Sequence, residues 1–322
     1  MTPDPDSLRS PVLLRAAACG AAIALALPLT GCMPGLGLGL GTKPDLAATV
    51  EGILAEVPHE SVGAIAVDRN LVALTLVTAD GPVVASREGR RDVVVQDLPE
   101  PLSWAVHGDA ADQDLDAAAL QSRMDALDCP DGAVGRSTAT IGGAILQSAG
   151  CGPFDPSFEQ AFIDGDEVPR LETWDVAAID TVLSEARAIH GAEATEIEFT
   201  AAADGEGISA TLLSAPQTRP DGSACVVRST RRDSAPGAPH EILEHGLCEQ
   251  SSSLSEGPVS LERVSGSTLD TALGLAEQEH GIPRDAVGSF RLMTKGGAPS
   301  LQVTPFPGAT DDPSSVDIPL TV

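Results

Sequence analysis

The chain has 322 residues, with 47 Asp and Glu against 19 Lys and Arg, a formal net charge of −28 and a hydrophobic share of 42%. An acidic surface of this size repels polyanions, which excludes nucleic acid as a partner and sets the body as a whole against anionic lipid headgroups. The apolar share excludes a disordered acidic chain, and with six Phe, two Trp and no Tyr the core has to be aliphatic.

Taken in chain order, the first feature is an uncharged, Ala- and Leu-rich run of 14 residues from Ala16 to Leu29, behind Arg15 and interrupted by Pro28. A helix needs about 20 apolar residues to cross a bilayer core. The run therefore reads as the core of a secretory signal and not as a span. It ends in Leu29-Thr30-Gly31-Cys32, an aliphatic residue, two small ones and a cysteine, which resembles the lipobox of bacterial lipoproteins. That resemblance implies a signal peptide over 1–31, cleavage before Cys32, and a Cys32 that becomes a lipidated N-terminus on the extracytoplasmic face of a cell membrane. One departure is that Asp4 and Asp6 offset Arg9 and Arg15, so the leader lacks a net positive charge and the mature 291 residues keep −28. Two acyl chains anchor stably where one is marginal. Alternating Gly and Leu over Pro34 to Gly41 favours neither helix nor strand and makes 32–43 a tether. No preceding strand and no following lysine motif make it a phosphate loop.

Four amphipathic stretches predict helices. The first places Leu46, Val50, Ile53, Leu54 and Val57 on one face. The second begins near Asp114 and gathers Leu120, Met124 and Leu127. The third is capped by Asp175, has Val176, Ile179, Leu183 and Ala186 inside, and stops at Gly191. The fourth runs from an N-cap at Ser267 to Gly281, with Pro283 beyond. Turn signals follow at Asp80-Gly81, Gly142-Gly143, Asp204-Gly205 and Gly296-Gly297. They are flanked by alternating runs such as Ile208, Ala210 and Leu212.

The regular spacing predicts an α+β fold of repeated helix-plus-antiparallel-hairpin units, with helices packed on one face of antiparallel sheet. Pairs of units should share a sheet. This gives an N-terminal domain over 44–151, a linker over 152–170 and a C-terminal domain over 171–322, in which Val316 to Val322 adds an edge strand. The helix-then-meander pattern over 174–230 and 267–306 resembles the PepSY family of small extracytoplasmic modules, in pattern and not through an identifying motif, and without the tyrosines those modules often carry. No function is carried over from it.

Cys19 leaves with the signal and Cys32 takes lipid, which leaves Cys129, Cys151, Cys225 and Cys248. An even count outside the cytoplasm favours disulfides. Four cysteines allow three pairings, and the hairpins select Cys129 with Cys151 and Cys225 with Cys248, each closing the open end of its own hairpin. Zinc is disfavoured by the lack of close Cys-x-x-Cys spacing.

Candidate chemistry is sparse. His240-Glu241-Ile242-Leu243-Glu244-His245 has its histidines five apart, where the zinc-protease helix needs four. His190 and His280 occupy matching helix ends, where an imidazole serves the terminal carbonyls and the dipole. His59 and His107 have no recognisable partners in the sequence. Asp109, Asp112, Asp114 and Asp116 precede a helix but lack the glycine and glutamate of a calcium loop. Asp164, Asp166 and Glu167 read as a surface loop, and Trp104 and Trp174 as core or partner contacts. There is no Gly-x-Ser-x-Gly elbow and no Ser-x-x-Lys. The expectation is a non-enzymatic lipoprotein with no catalytic, metal or cofactor residues. It is held to the membrane through Cys32 and binds another envelope component, a protein. The alternative is a carrier enclosing a hydrophobic small ligand between helices and sheet.

Overall fold

The computed structural model of the chain describes residues 45–98, 108, 110–111, 115–130, 132–151, 157–202, 207–218, 222–234, 244–249, 256–309 and 314–321, with the backbone alone at 157–159, 234 and 244–247. Cys32 and the lipobox, the tether, Trp104, His107, Asp109, Asp112, Asp114, the Asp204-Gly205 turn and His240 lie outside the described residues.

The first half runs α1 (Leu46–Glu56), β1 (Ser61–Asp68), β2 (Leu71–Thr78), β3 (Gly81–Glu88), β4 (Val94–Asp97), α2 (Ala117–Ala126), β5 (Ala133–Ala139), β6 (Ile145–Cys151), β7 (Ser157–Ile163) and β8 (Asp166–Glu167). Among the described residues its eight strands form one sheet in the order β4-β3-β2-β1-β5-β6-β7-β8, antiparallel throughout. The second half runs α3 (Val176–His190), β9 (Glu193–Ala201), β10 (Gly207–Ser214), β11 (Gln217–Thr218), β12 (Ala224–Ser234), β13 (Glu244–Glu249), β14 (Val259–Ser260), α4 (Gly266–His280), β15 (Val287–Lys295), β16 (Ala298–Pro305) and β17 (Val316–Pro319). Nine strands among the described residues make its sheet, with the main path β11-β12-β10-β9-β15-β16-β17, β13 on β12 and β14 on β9. Residues 157–167, inside the stretch expected as a linker, form β7 and β8 at the edge of the first sheet.

The expected fold class is corrected. Among the described residues the molecule is dominated by two large antiparallel sheets, and its four helices are short, at 10 to 15 residues. Strand pairing is the reason. β1 bonds to β5 and β9 to β15, with Ile65 opposite Ser137 and Phe199 opposite Phe290, so hairpins that look separate in sequence fuse into continuous sheets. Further strands carry little alternation to announce them, and all four residues of β4 are exposed.

Local chemistry sets the helix ends. Asp45 and Asp175 accept from the Ala48 and Ala178 amides at 3.3 and 2.8 Å, satisfying N–H groups that the first turn leaves orphaned. α2 begins three residues later than its acidic run suggested, capped by Asp116. In α4 the cap is Ser265 and not Ser267, because the Ser265 hydroxyl accepts from the Thr268 amide at 3.2 Å while Gly266 donates to Asp180 Oδ1 at 2.5 Å. Gly281 stops it at φ 66. Val176 faces outward at 37% exposure, and the buried face of α3 is Ala178, Ile179, Val182, Leu183, Ala186 and Ile189.

Each sheet buries one face against its helices. Ile65, Val67, Leu74 and Leu76 meet Leu46, Val50, Ile53 and Leu120 in one core. Ile197, Phe199, Leu212 and Leu292 meet Ile179, Leu183 and Leu269 in the other. The halves interlock at the β5–β6 turn. Ile141 packs on the core around Cys225, Val227 and Cys248, the Gly142 amide donates to Ile189 O at 2.8 Å, and Ile189 joins Leu146, Ala161 and Val168. A Cβ on Gly142 would lie 2.7 Å from Gly191 N and 2.8 Å from Ile189 C, so only glycine fits this approach.

Candidate functional site

Both disulfides close the hairpins as the sequence required. Cys129 joins Cys151 and Cys225 joins Cys248, with Cα separations of 5.2 and 5.5 Å. The second is buried.

One concave, partly apolar feature lies at one end of the second core. Trp174, just ahead of α3, is anchored by its indole Nε1, which donates to Thr200 O at 3.0 Å. Its ring meets Phe199 edge-on at 5.1 Å and Phe290 at 6.5 Å, and those two phenyl rings stack across strands at 4.7 Å. Three of the chain's eight aromatic residues therefore converge here. A half-open pocket of about 310 Å³ sits over them, lined by Trp174, Ile208, Leu273, Val287 and Phe290, with Glu172 and Arg284 among its polar residues. Arg284 bonds Asp270 through Nη1 and the Asp270 carbonyl through Nη2 at 3.0 Å, which fixes its guanidinium and holds the Asp270 carboxyl below its ordinary pKa.

A second assembly, not foreseen in the sequence, is wholly internal. Arg231 on β12 is fully buried and donates to Asp233 at 2.6 Å, to Glu185 on α3 at 2.5 Å and to the Pro169 carbonyl. Asp233 also accepts from the Leu171 amide at 3.1 Å, so the cluster ties the segment ahead of α3 to the sheet. Burial opposes the Arg231 charge, but Glu185 and Asp233 outweigh it and hold its pKa above the ordinary value. Burial pushes the Glu185 carboxyl up, offset in part by Arg231. Closed to solvent, this triad acts as a brace. The opposite face of the same sheet is polar, with Arg291 set between Glu196 at 3.4 Å and Glu198 at 3.0 Å.

Other sequence candidates fall apart from one another. His190 is buried, and desolvation pushes its pKa down to about 4, so it is neutral at pH 7 and brings no positive charge to the helix dipole. This corrects the dipole role expected for it, while His280 is exposed at its own helix end. His59 Nδ1 bonds the Val57 carbonyl at 2.8 Å. Asp164 is a turn residue at φ 51 whose carboxylate accepts from the Ile145 amide, and Asp166 and Glu167 are β8 itself. Among the described residues no group of three or more His, Cys, Asp or Glu is placed to hold a metal, and no helix is long and apolar enough to cross a membrane.

No family model matches the chain, and no curated protein matches it. Among solved structures it is similar to a DNA polymerase sliding clamp from Pseudomonas aeruginosa, at 10% identity over 85% of this chain and 60% of that one, with a TM-score of 0.15. A griselimycin-bound DnaN sliding clamp from Bartonella birtlesii matches at 12% identity over 86% and 63%, with a TM-score of 0.13. The chain spans about 60% of the clamp chain first matched, and scores this low carry no argument about fold or function.

Proposed function

We propose that this is a non-enzymatic lipoprotein, anchored through Cys32 on the extracytoplasmic face of a cell membrane, which binds a protein of the same envelope. The observation that carries the reading is Leu29-Thr30-Gly31-Cys32 directly after an apolar run, ahead of a body whose four described cysteines are all paired. Paired cysteines belong to an oxidising compartment, and that is where a cleaved lipobox would deliver the chain.

The pocket over Trp174 suits a protein partner. Its volume of about 310 Å³ lies at the bottom of the range for small-ligand sites, roughly 300–1,000 Å³. It accommodates an apolar side chain of a partner, with aromatic rings as the floor. A carrier would need an enclosed apolar cavity between helices and sheet. That space holds packed Leu, Ile, Val and Phe in the second half. In the first it holds packed Leu, Ile and Val beside a half-open pocket of about 240 Å³, smaller than the one over Trp174.

In-cell crosslinking tests the reading. A photoreactive residue at Ile208, on the pocket lining, is expected to capture one envelope protein, and Trp174→Ala to reduce that capture. A hydrophobic small molecule retained by the delipidated protein in native mass spectrometry, with no protein captured, would favour the carrier instead.

A further inference from the structure

The β4 edge of the first sheet is not shielded in the way sheet edges usually are. Charges, prolines or very short strands blunt an edge against pairing, and the opposite edge of the same sheet is the two acidic residues of β8, Asp166 and Glu167. β4 instead carries Val94 and Val95, 50% and 49% exposed, two of the three exposed large hydrophobics among the described residues. Val95 lies opposite Ala85, which is buried in the first core, so it extends the apolar face of the sheet beyond the last covered strand. From Arg90 to Leu98 the segment holds two arginines and two aspartates, a neutral stretch in a chain of net charge −28.

The backbone of β4 can accept a further strand in one phase only. The Gly89 amide donates to Asn70 O at 2.9 Å, which makes residues 70 and 89 a directly bonded pair across β2 and β3. Such pairs alternate with non-bonded ones along antiparallel strands, so Val72 with Arg87, Leu74 with Ala85 and Leu76 with Val83 bond in the same way. Ser86 and Val84 are left to bond β4 through Val94 and Gln96. Val93, Val95 and Asp97 therefore turn their N–H and C=O groups to the outer edge, where no described strand meets them.

We propose that this edge pairs with a second copy of the chain, β4 against β4 and antiparallel, with Val94 facing the partner's Val94 across a two-fold axis. In that register the outward-bonding positions meet one another: Val93 pairs with the partner's Val95, and Arg91 with the partner's Asp97. The symmetry repeats each pairing. Moving the axis by one residue in either direction keeps the bonding phase but sets Asp97 against Gly89 or Val93 and breaks the match of charges. Charge complementarity thus selects both the register and the occupant, since this chain's own edge supplies the complement. Arg91 is held at present by Glu88, an exposed surface pair. Such pairs are weak and leave the guanidinium free to engage a second carboxylate. Val93 packs on the first core, so the partner's Val93 covers Val95 and the two cores meet edge to edge.

The inference depends neither on the anchor at Cys32 nor on the Trp174 pocket, and oxidative cross-linking of the full mature protein in detergent tests it. A facing, non-bonded pair brings its Cα atoms to about 4.5 Å, inside the range of about 4.4–6.8 Å that a disulfide spans. Gln96 would lie about 14 Å from its own equivalent, four residues along the paired strands. Val94→Cys is therefore expected to give at least about tenfold more covalent dimer than Gln96→Cys. Adding Arg91→Asp to Val94→Cys should abolish the link, and adding Asp97→Arg to both should restore it. All four positions are exposed, and an unchanged urea-unfolding midpoint shows that each variant is folded. Equal yields from Val94→Cys and Gln96→Cys overturn the inference, as does a link that survives Arg91→Asp undiminished. A Val94→Cys chain that links in cells to a different protein and not to itself overturns it as well.

Discussion

Replacing His190 by leucine isolates the acid sensitivity of the buried imidazole. In the folded protein its pKa is pushed down to about 4 by desolvation, whereas an unfolded histidine titrates at about 6.5. Between these values the unfolded chain takes up a proton that the folded one refuses. The contribution of His190 is therefore whole above about pH 6.5 and is lost as pH falls toward 4. A gap of about 2.5 units at 1.36 kcal/mol each gives about 3 kcal/mol. Urea unfolding followed by far-ultraviolet circular dichroism at pH 7, 5.5 and 4 measures it. Relative to His190→Leu, the parent should lose about 3 kcal/mol across that range. Parallel stability curves for the two proteins would refute the assignment of a buried, neutral imidazole.

Three further perturbations address the brace, the interlock and the cross-links. Arg231→Met leaves Glu185 and Asp233 buried without their cation, and denaturant unfolding at neutral pH should register a loss of about 3–5 kcal/mol. Gly142→Ala forces a methyl group against the backbone at Ile189 and Gly191 and endangers the bond from its amide. A cost of about 2–4 kcal/mol is expected, with exchange protection lost first around Thr140 and Ile189. Cys225→Ala/Cys248→Ala opens a link with a sequence separation of 23, and a lower thermal midpoint with a stability loss of about 3 kcal/mol should follow.

What the sequence made legible was local. The cap at Asp175, the stop at Gly281 and the hairpin-closing cysteine pairs each depend on residues within a few positions or on one turn. The breadth of the sheets was not legible, because Ile65 meeting Ser137 and Phe199 meeting Phe290 are pairings across about 70 and 90 residues that no periodicity encodes. Helix-on-hairpin repeats were expected for that reason, and wide sheets were found. Arg231 and Arg232 carry no mark in the sequence that tells one from the other. Only the fold reveals that one side chain is fully buried among carboxylates while its neighbour is exposed. His190 and His280 look equivalent in sequence, but the β5–β6 turn packs on the end of α3, where His190 is buried, while His280 stays exposed. The Trp174 pocket draws on five separate segments, and among them the sequence drew attention to Trp174 as a candidate contact.

The claim on which the rest depends is the conversion of Cys32 into a lipid anchor, and intact-mass and N-terminal peptide analysis of the protein from its native membrane tests it most directly. The expected result is a chain that begins at Cys32 and carries diacylglycerol on that residue. A chain that still contains residues 1–31, or a Cys32 of unmodified mass, would contradict the account.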